Sequence, residues 1–366
     1  MIYSSRKWDD LGVVAECSAF TPRGTGEYHI ILHAAPRGEL FAQQLERLCA
    51  AAERITAELD GAHCILKRYF LSDSTNQAPL IPTDDTCAVS IIQQAPLDGS
   101  KVALWMYLNT HTGSPSPYTH LWTMGLSSPE GDSAQQTECV LNTYEDILQN
   151  HGATLADNCI RTWFFVRDVD TQYAGMVKAR RENFIEQGLT PDTHYIASTG
   201  IQGLPAETRA LIQMGAYAVT GLKPGQQHYV RALSHLNPTI EYGVTFERGT
   251  VVDYGDRSHC FISGTASIDN KGEVLHKGDI VKQTQRMWEN VETLLAEGKF
   301  HTDDIAQVIV YLRDIADYDT VRRMFAAHYP NIPVVFTHAP VCRPEWLIEM
   351  ECIAITEREN PQYEVF

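Results

Sequence analysis

The chain has 366 residues, enough for two or three compact domains and too many for one small core. Hydrophobic residues make up 44% and charged residues 20%, which excludes a disordered chain, and the net charge of −17 argues against a nucleic-acid groove, where clustered Lys and Arg must neutralise phosphates. The nine cysteines form no C-x-x-C pair, no run is apolar for long enough to span a bilayer, and MIYSSRKWDD has no signal-peptide core, so we expect a reduced, cytoplasmic protein with no cofactor, metal or membrane contact.

In chain order, LFAQQLERLCAAAERI (residues 40–55) has helical spacing of apolar residues, and ILKRYFLSD (65–73) reads as a strand. Polar, proline-containing STNQAPLIPTDD (74–85) follows, then two strands, VSIIQQAPL and KVALWMYL. After turn-rich THTGSPSP (110–117) comes GDSAQQTE (131–138), and then CVLNTYEDILQNHG, a helix that Gly152 should stop. NCIRTWFFVRD is a strand, YAGMVKARRENFIEQG a second helix, and IASTGI with RALIQMGAYAV reads as a strand pair. PGQQHYVRALSHLNPT (224–239) looks like a connector.

The last third repeats the order of the second. GDIVKQTQ (278–285) opens a helix, IAQVIVYLRD is a strand, YDTVRRMFAAHY a helix, and VVFTHAP with WLIEMECIAI a second strand pair. Gln136 and Gln283 stand 283 − 136 = 147 residues apart, and Arg167 and Arg313 stand 313 − 167 = 146 apart. Gln44, in its own AQQ context, marks a weaker first copy whose second helix is replaced by the polar segment. The expected organisation is three α+β units, residues 1–112, 113–230 and 231–366, each a sheet carrying two helices on one face. Three such units can close around a shared axis, each sheet covering the next; three separate domains on a string are the alternative.

FISGTASIDNKGEVLHKGDIVKQTQRMWENVETLL, VIVYLRDIADYDTVRRMF and LIEMECIAI resemble the Rid superfamily. The resemblance covers the third unit, follows the second well and the first in outline. Rid proteins are homotrimers of a chorismate-mutase-like fold with sites in the clefts between subunits, so three fused copies imply an intramolecular pseudo-trimer, alone or in a higher oligomer. Most members hydrolyse enamines and imines with an Arg that clamps a carboxylate. At that Arg position stand Ser198 in the second unit and residues 334–336 in the third, and no Arg stands there in the first. The matching Glu is Glu349 in the third unit, with Gln213 and Ala103 at its place in the other two.

GTASI (264–268), STGI (198–201) and CRPEWLIE (342–349) resemble the chorismatases, Rid-like enzymes that cleave pyruvate from chorismate. That resemblance implies a small anionic carboxylate substrate, Glu349 as catalytic acid, and Arg343, Cys342, Arg161, Arg180, Tyr173, Ser198 and Thr199 as substrate-binding residues. The residues themselves leave more than one reading. Strand alternation puts Glu349 and Glu351 on one face, where each is either a protonatable acid or a partner for Arg. Arg161, among aromatics, is a pocket cation or half of a structural ion pair. Tyr173 and Arg180 are two helical turns apart and share a face. Cys342 shapes a pocket or simply fills a core. An imine deaminase with a rearranged clamp and a non-catalytic ligand-binding protein are the alternative functions.

Overall fold

The computed structural model describes residues 1–22, 24–82, 86–110 and 116–366. The expected boundary near residue 112 and the end of the 74–85 segment lie outside the described residues. Three sheets carry the fold. The first takes β1 (Ile2–Trp8), β2 (Val13–Phe20), β3 (Glu27–Ala34), β4 (His63–Leu71), β5 (Ala88–Gln93) and β6 (Val102–Asn109), with α1 (Phe41–Glu58) and the single-turn α2 (Ser74–Gln77) between strands. The second takes β7 (Thr119–Ser127), β8 (Cys159–Val166), β9 (Ala197–Gln202) and β11 (Ile212–Thr220), with α3 (Ser133–Asn150), α4 (Leu155–Asn158) and α5 (Val169–Glu186); the two-residue β10 (Leu204–Pro205) crosses to the edge of the first sheet. The third takes β12 (Gln227–Val230), β13 (Gly249–Asp253), β14 (Arg257–Ala266), β15 (Ile305–Leu312), β16 (Val334–His338) and β17 (Ile348–Glu357), with α6 (Ile280–Glu297) and α7 (Tyr318–His328).

The expected strand pairs are not partners. In every sheet the strand after the first helix lies between them: β4 separates β5 from β6, β8 separates β9 from β11, and β15 separates β16 from β17. The cause is the crossover. A segment that leaves a strand, passes over one face and returns must land parallel to it, and β4/β5, β8/β9 and β15/β16 are the parallel pairs. The closing strand then comes back antiparallel on the other side. The supposed connector also contributes a strand, since β12 pairs with β13 on the edge of the third sheet.

The repeated GD…Q phrase has a local explanation. Gly131 and Gly278 adopt φ of +87° and +76°, a left-handed turn that favours glycine. Asp132 and Asp279 then cap α3 and α6, each accepting the backbone N–H three residues on, at 2.9 and 3.0 Å. The glutamine ties its helix to the closing strand. Gln136 accepts from Leu211 N (2.6 Å), Gln283 from Leu347 N (2.9 Å), and in the first unit Gln44 accepts from Lys101 N (2.6 Å). All three side chains are buried, so the bond is made away from competing water.

Each of the first two sheets packs one face on its own helices. Leu45, Leu48 and Ile55 of α1 meet Val13, Leu32 and Leu104, while Val140, Leu141 and Leu148 of α3 and Phe184 of α5 meet Phe164 and Met214. The other faces join the third sheet in one shared core, where Ile31 and Trp105, Trp163 and Tyr217, and Phe261 and Met350 belong to the same cluster. Burying a side chain of that size contributes about 1.5–3 kcal/mol, so the shared core binds the units far more firmly than a tether would.

Gln136→Leu leaves the part-buried Leu211 N–H without its acceptor. We expect it to lower the free energy of unfolding by about 1–3 kcal/mol, read as an earlier midpoint in urea with unchanged far-UV circular dichroism. An unchanged midpoint would show that the tie does not stabilise the fold.

Candidate active site

Glu349 lies near the start of β17, in register with Ala266 of β14 on one side and Tyr311 of β15 on the other. Alternation along β17 sends Glu349 and Glu351 to the same face, away from the helices and toward β9 of the second sheet. Both are buried. Their surroundings differ completely.

Glu351 is saturated. Its carboxylate accepts from Arg161 Nη2 (2.8 Å), Thr199 Oγ1 (2.5 Å) and Trp163 Nε1 (2.8 Å), and Arg68 Nη1 of β4 lies 3.7 Å away. Arg68 is itself stacked on Trp105, Trp163 and Phe165. One carboxylate of the third sheet is thereby bound to side chains of the other two.

Glu349 faces a cavity of about 160 Å³ at the seam of the second and third sheets. Tyr173 and Arg180 of α5 and Ser198 and Gly200 of β9 form one wall; Gly264, Ala266, Cys342, Arg343 and Trp346 form the other. The seam is sutured by backbone. Ser198 N donates to Ser263 Oγ, Gly264 N to Thr199 Oγ1 (both 2.9 Å), and Glu247 N to Ile196 O (3.0 Å). Gly264 is required by close approach, because a Cβ there would stand 2.2 Å from Glu349 Oε1.

Burial pushes the Glu349 carboxyl up to about 8, the charge on Glu351 adds to the effect, and Arg161 and Arg248 pull the other way. At neutral pH this carboxyl holds its proton. Burial, with Glu349 next, pushes the Cys342 thiol up to about 12, so it rests as a thiol. Burial likewise raises the Tyr173 phenol well above its ordinary range.

Six of the eight residues singled out from the sequence therefore meet in this cavity: Glu349, Arg343, Cys342, Arg180, Tyr173 and Ser198. Arg161 and Thr199 do not line it. They stand behind it on Glu351, the structural ion pair of the two readings left open for Arg161. Four further residues, Tyr242, Val244, Phe246 and Arg248, come from the segment after the supposed connector. The aromatic and cationic spacing of YGVTFERG was the available signal for them. The Arg248 and Arg343 guanidiniums sit 5.4 and 4.7 Å from the Tyr242 ring centroid. Arg248 donates to Asn237 O (3.1 Å), Arg343 to Gly272 O (2.9 Å) and Arg180 to Ser198 Oγ (3.4 Å). No carboxylate among the described residues stands at ion-pair distance from any of these three arginines, while Glu349 beside them is neutral. A small pocket with three uncompensated guanidiniums favours an anion, and a cavity of about 150 Å³ takes a benzene-sized ring.

No helix among the described residues is long and apolar enough to cross a membrane. The family model described as Endoribonuclease L-PSP matches residues 251–356, most of the third sheet and both its helices. A RutC family protein of Pyrococcus abyssi is 32% identical over 99 residues, covering 26% of this chain and 78% of that protein. A 3-hydroxybenzoate synthase of Streptomyces hygroscopicus is 25% identical over 260 residues, 64% of this chain and 74% of its own length. The crystal structure of a chorismatase superposes with a TM-score of 0.62, covering 80% of this chain and 92% of that one; at 20% identity this is a likeness of fold. With 32% identity to a RutC family protein over 78% of that protein's length, the chain belongs to the Rid superfamily, and it shares the fold of a chorismatase.

Proposed function

We propose that the chain is a hydrolase of chorismatase type, which cleaves the enol-pyruvyl ether of a small cyclic dicarboxylate such as chorismate and releases pyruvate. The observation that carries this reading is a buried Glu349, its carboxyl pushed toward the protonated form by that burial, sharing one cavity with Arg180, Arg248 and Arg343. The three units we propose run over residues 1–112, 113–230 and 231–366, except that β12 joins the third, with the working site at the seam of the second and third.

The chemistry asks for an acid that keeps its proton near neutrality. Protonating the CH₂ carbon of the enol ether turns the neighbouring ether carbon into an oxocarbenium centre. Water adds there and loses a proton, and the hemiketal then breaks the bond between that carbon and the ring oxygen, its hydroxyl proton passing to the oxygen that leaves as the ring alcohol. The products are a ring alcohol and pyruvate, whose methyl group carries the transferred proton. Glu349 supplies that proton and recovers one from the added water. The forked donors of Arg180, Arg343 and Arg248 hold the two carboxylates, which become worth more in a site closed by Tyr242, Phe246 and Trp346. Ser198 and Tyr173 offer hydroxyls toward the ring substituents. The thiol of Cys342 lies against the same space, where it shapes the pocket. Arg161 and Thr199 act through Glu351 and so position β17.

A coupled assay of pyruvate release from chorismate tests the reading. We expect turnover by the wild type and a loss of roughly 10²-fold or more in Glu349→Gln, a variant that keeps the shape of the acid but not its proton. Absence of release by the folded wild type, or full activity in the variant, would sink it. Faster hydrolysis of a 2-aminoacrylate imine than in buffer would instead favour the deaminase reading carried by the RutC family likeness.

The acid also leaves a mark on stability. Its folded value, about 8, lies above the ordinary 4.5, so between those values the unfolded chain ionises while the folded one does not. The favourable contribution is complete below about pH 4.5 and has been lost once pH passes about 8. Melting temperatures of Glu349→Gln and wild type should diverge across that window in favour of the variant and then run level. Parallel curves throughout would place the carboxyl's proton elsewhere. Wild-type turnover should fall above the same upper limit.

A further inference from the structure

The seam between the third and first sheets carries a second cavity made from the corresponding parts. Tyr318 and Phe325 of α7 replace Tyr173 and Arg180 of α5, and Val334–Phe336 of β16 replace the Ser198–Gly200 stretch of β9. The opposite wall comes from β2, β3 and the loop after β5. His33 is in register with Ala103, as Ala266 is with Glu349, so a methyl group occupies the place of the acid. The cavity is larger, about 370 Å³ against about 160 Å³, and the two share no residue.

Its charge is of the opposite kind. Glu16 and Asp98 flank one imidazole, with Glu16 Oε2 3.7 Å from His33 Nε2 and Asp98 Oδ2 3.3 Å from His33 Nδ1. Although burial opposes it, the hydrogen bond to Asp98 and the nearby Glu16 carboxylate push His33 up to about 10, which makes it a cation at neutral pH. One cation between two carboxylates leaves the trio one charge negative. Arg322, the other cation in the wall, is half-exposed and lies 4.0 Å from Asp319. Burial and then the charge of Asp98 push the Tyr318 phenol up to about 12, with Asp319 and Glu16 adding and Arg322 opposing. The carboxylates are held in place rather than saturated: Glu16 accepts from Val334 N and Asp98 from Ser100 N, each at 2.9 Å. The rest of the wall is mainly apolar and aromatic, including Phe325 and Phe336.

We propose that this cavity is a second ligand site, which takes a small organic cation: an ammonium held by Glu16 and Asp98, on an apolar body that packs against Tyr318, Phe325 and Phe336. A carboxylate pair short of one counter-charge favours an ammonium donor, and aromatic faces attract the same charge. The volume admits a ring with a short side chain. The bound ammonium shares the two carboxylates with the His33 imidazolium, which therefore weakens binding.

Calorimetric titration of the full chain near neutral pH with 2-phenylethylammonium tests this, with phenylacetate as the probe of opposite charge. We expect single-site binding of the amine, weakened by about tenfold or more in Glu16→Gln and Asp98→Asn and unchanged in Glu349→Gln. Any phenylacetate binding should be insensitive to Glu16→Gln. His33→Gln removes the resident cation and should tighten amine binding several-fold, an arm that stands even if the carboxylate variants fail to fold. No saturable heat with folded wild type at millimolar amine, equal affinity in both carboxylate variants, or no tightening in His33→Gln would overturn the proposal.

Discussion

The molecule depends on one buried carboxylate. Glu351 is bound by Arg161, Trp163 and Thr199 of the second sheet and approached by Arg68 of the first, so a single side chain registers all three sheets against one another. Such an arrangement is a poor source of net stability, because withdrawing three charges from water costs several kcal/mol per ion before the pairing repays it. It is a strong source of specificity. If β9 slipped by one residue, Thr199 would turn to the other face, leaving a buried charge short of a donor. The apolar core supplies the driving force, and the polar junction selects the packing.

The same junction sets the chemistry next to it. Two carboxyls on one face of β17 divide the roles. Glu351 takes the guanidinium, the indole N–H and the hydroxyl. Glu349, two residues earlier, is left with burial and a negative neighbour, and both keep its proton on. Burial beside a paired carboxylate is how a protein obtains an acid at neutral pH. The arginines of the cavity are likewise unspent, since Asn237, Gly272 and Ser198 engage them only with neutral oxygens.

Fusing three units in one chain releases the seams from identity. A homotrimer must write the same residues at each cleft. Here the positions matching Glu349 hold Gln213 and Ala103, and the walls diverge accordingly: guanidiniums at one seam, carboxylates and an imidazolium at another. Gln213 is spent on structure, donating to Ile91 O of the first sheet at 3.2 Å.

Much of this was legible in the residues. Helices and strands followed from apolar periodicity, because burial of one face imposes it. The repeated GD…Q phrase marked the units because a left-handed turn, a cap and a buried tie each demand one residue type. Glu349, Arg343, Cys342, Arg180, Tyr173 and Ser198 were found through likeness to a family whose motifs lie within single units. Other features are properties of juxtaposition. Nothing local distinguishes Glu349 from Glu351, which share a strand, a face and a degree of burial; the difference lies in side chains some 190 residues away in the chain. Strand order was misread because a crossover is decided by which face a helix covers. Arg248 and Tyr242 were missed because their segment has no periodicity, only a destination. Sequence by itself determined the units and their elements, since these answer to short-range geometry. Tertiary structure alone decided which acid is charged and which seam is cationic, since charge state is set by neighbours that only folding brings within a few ångströms.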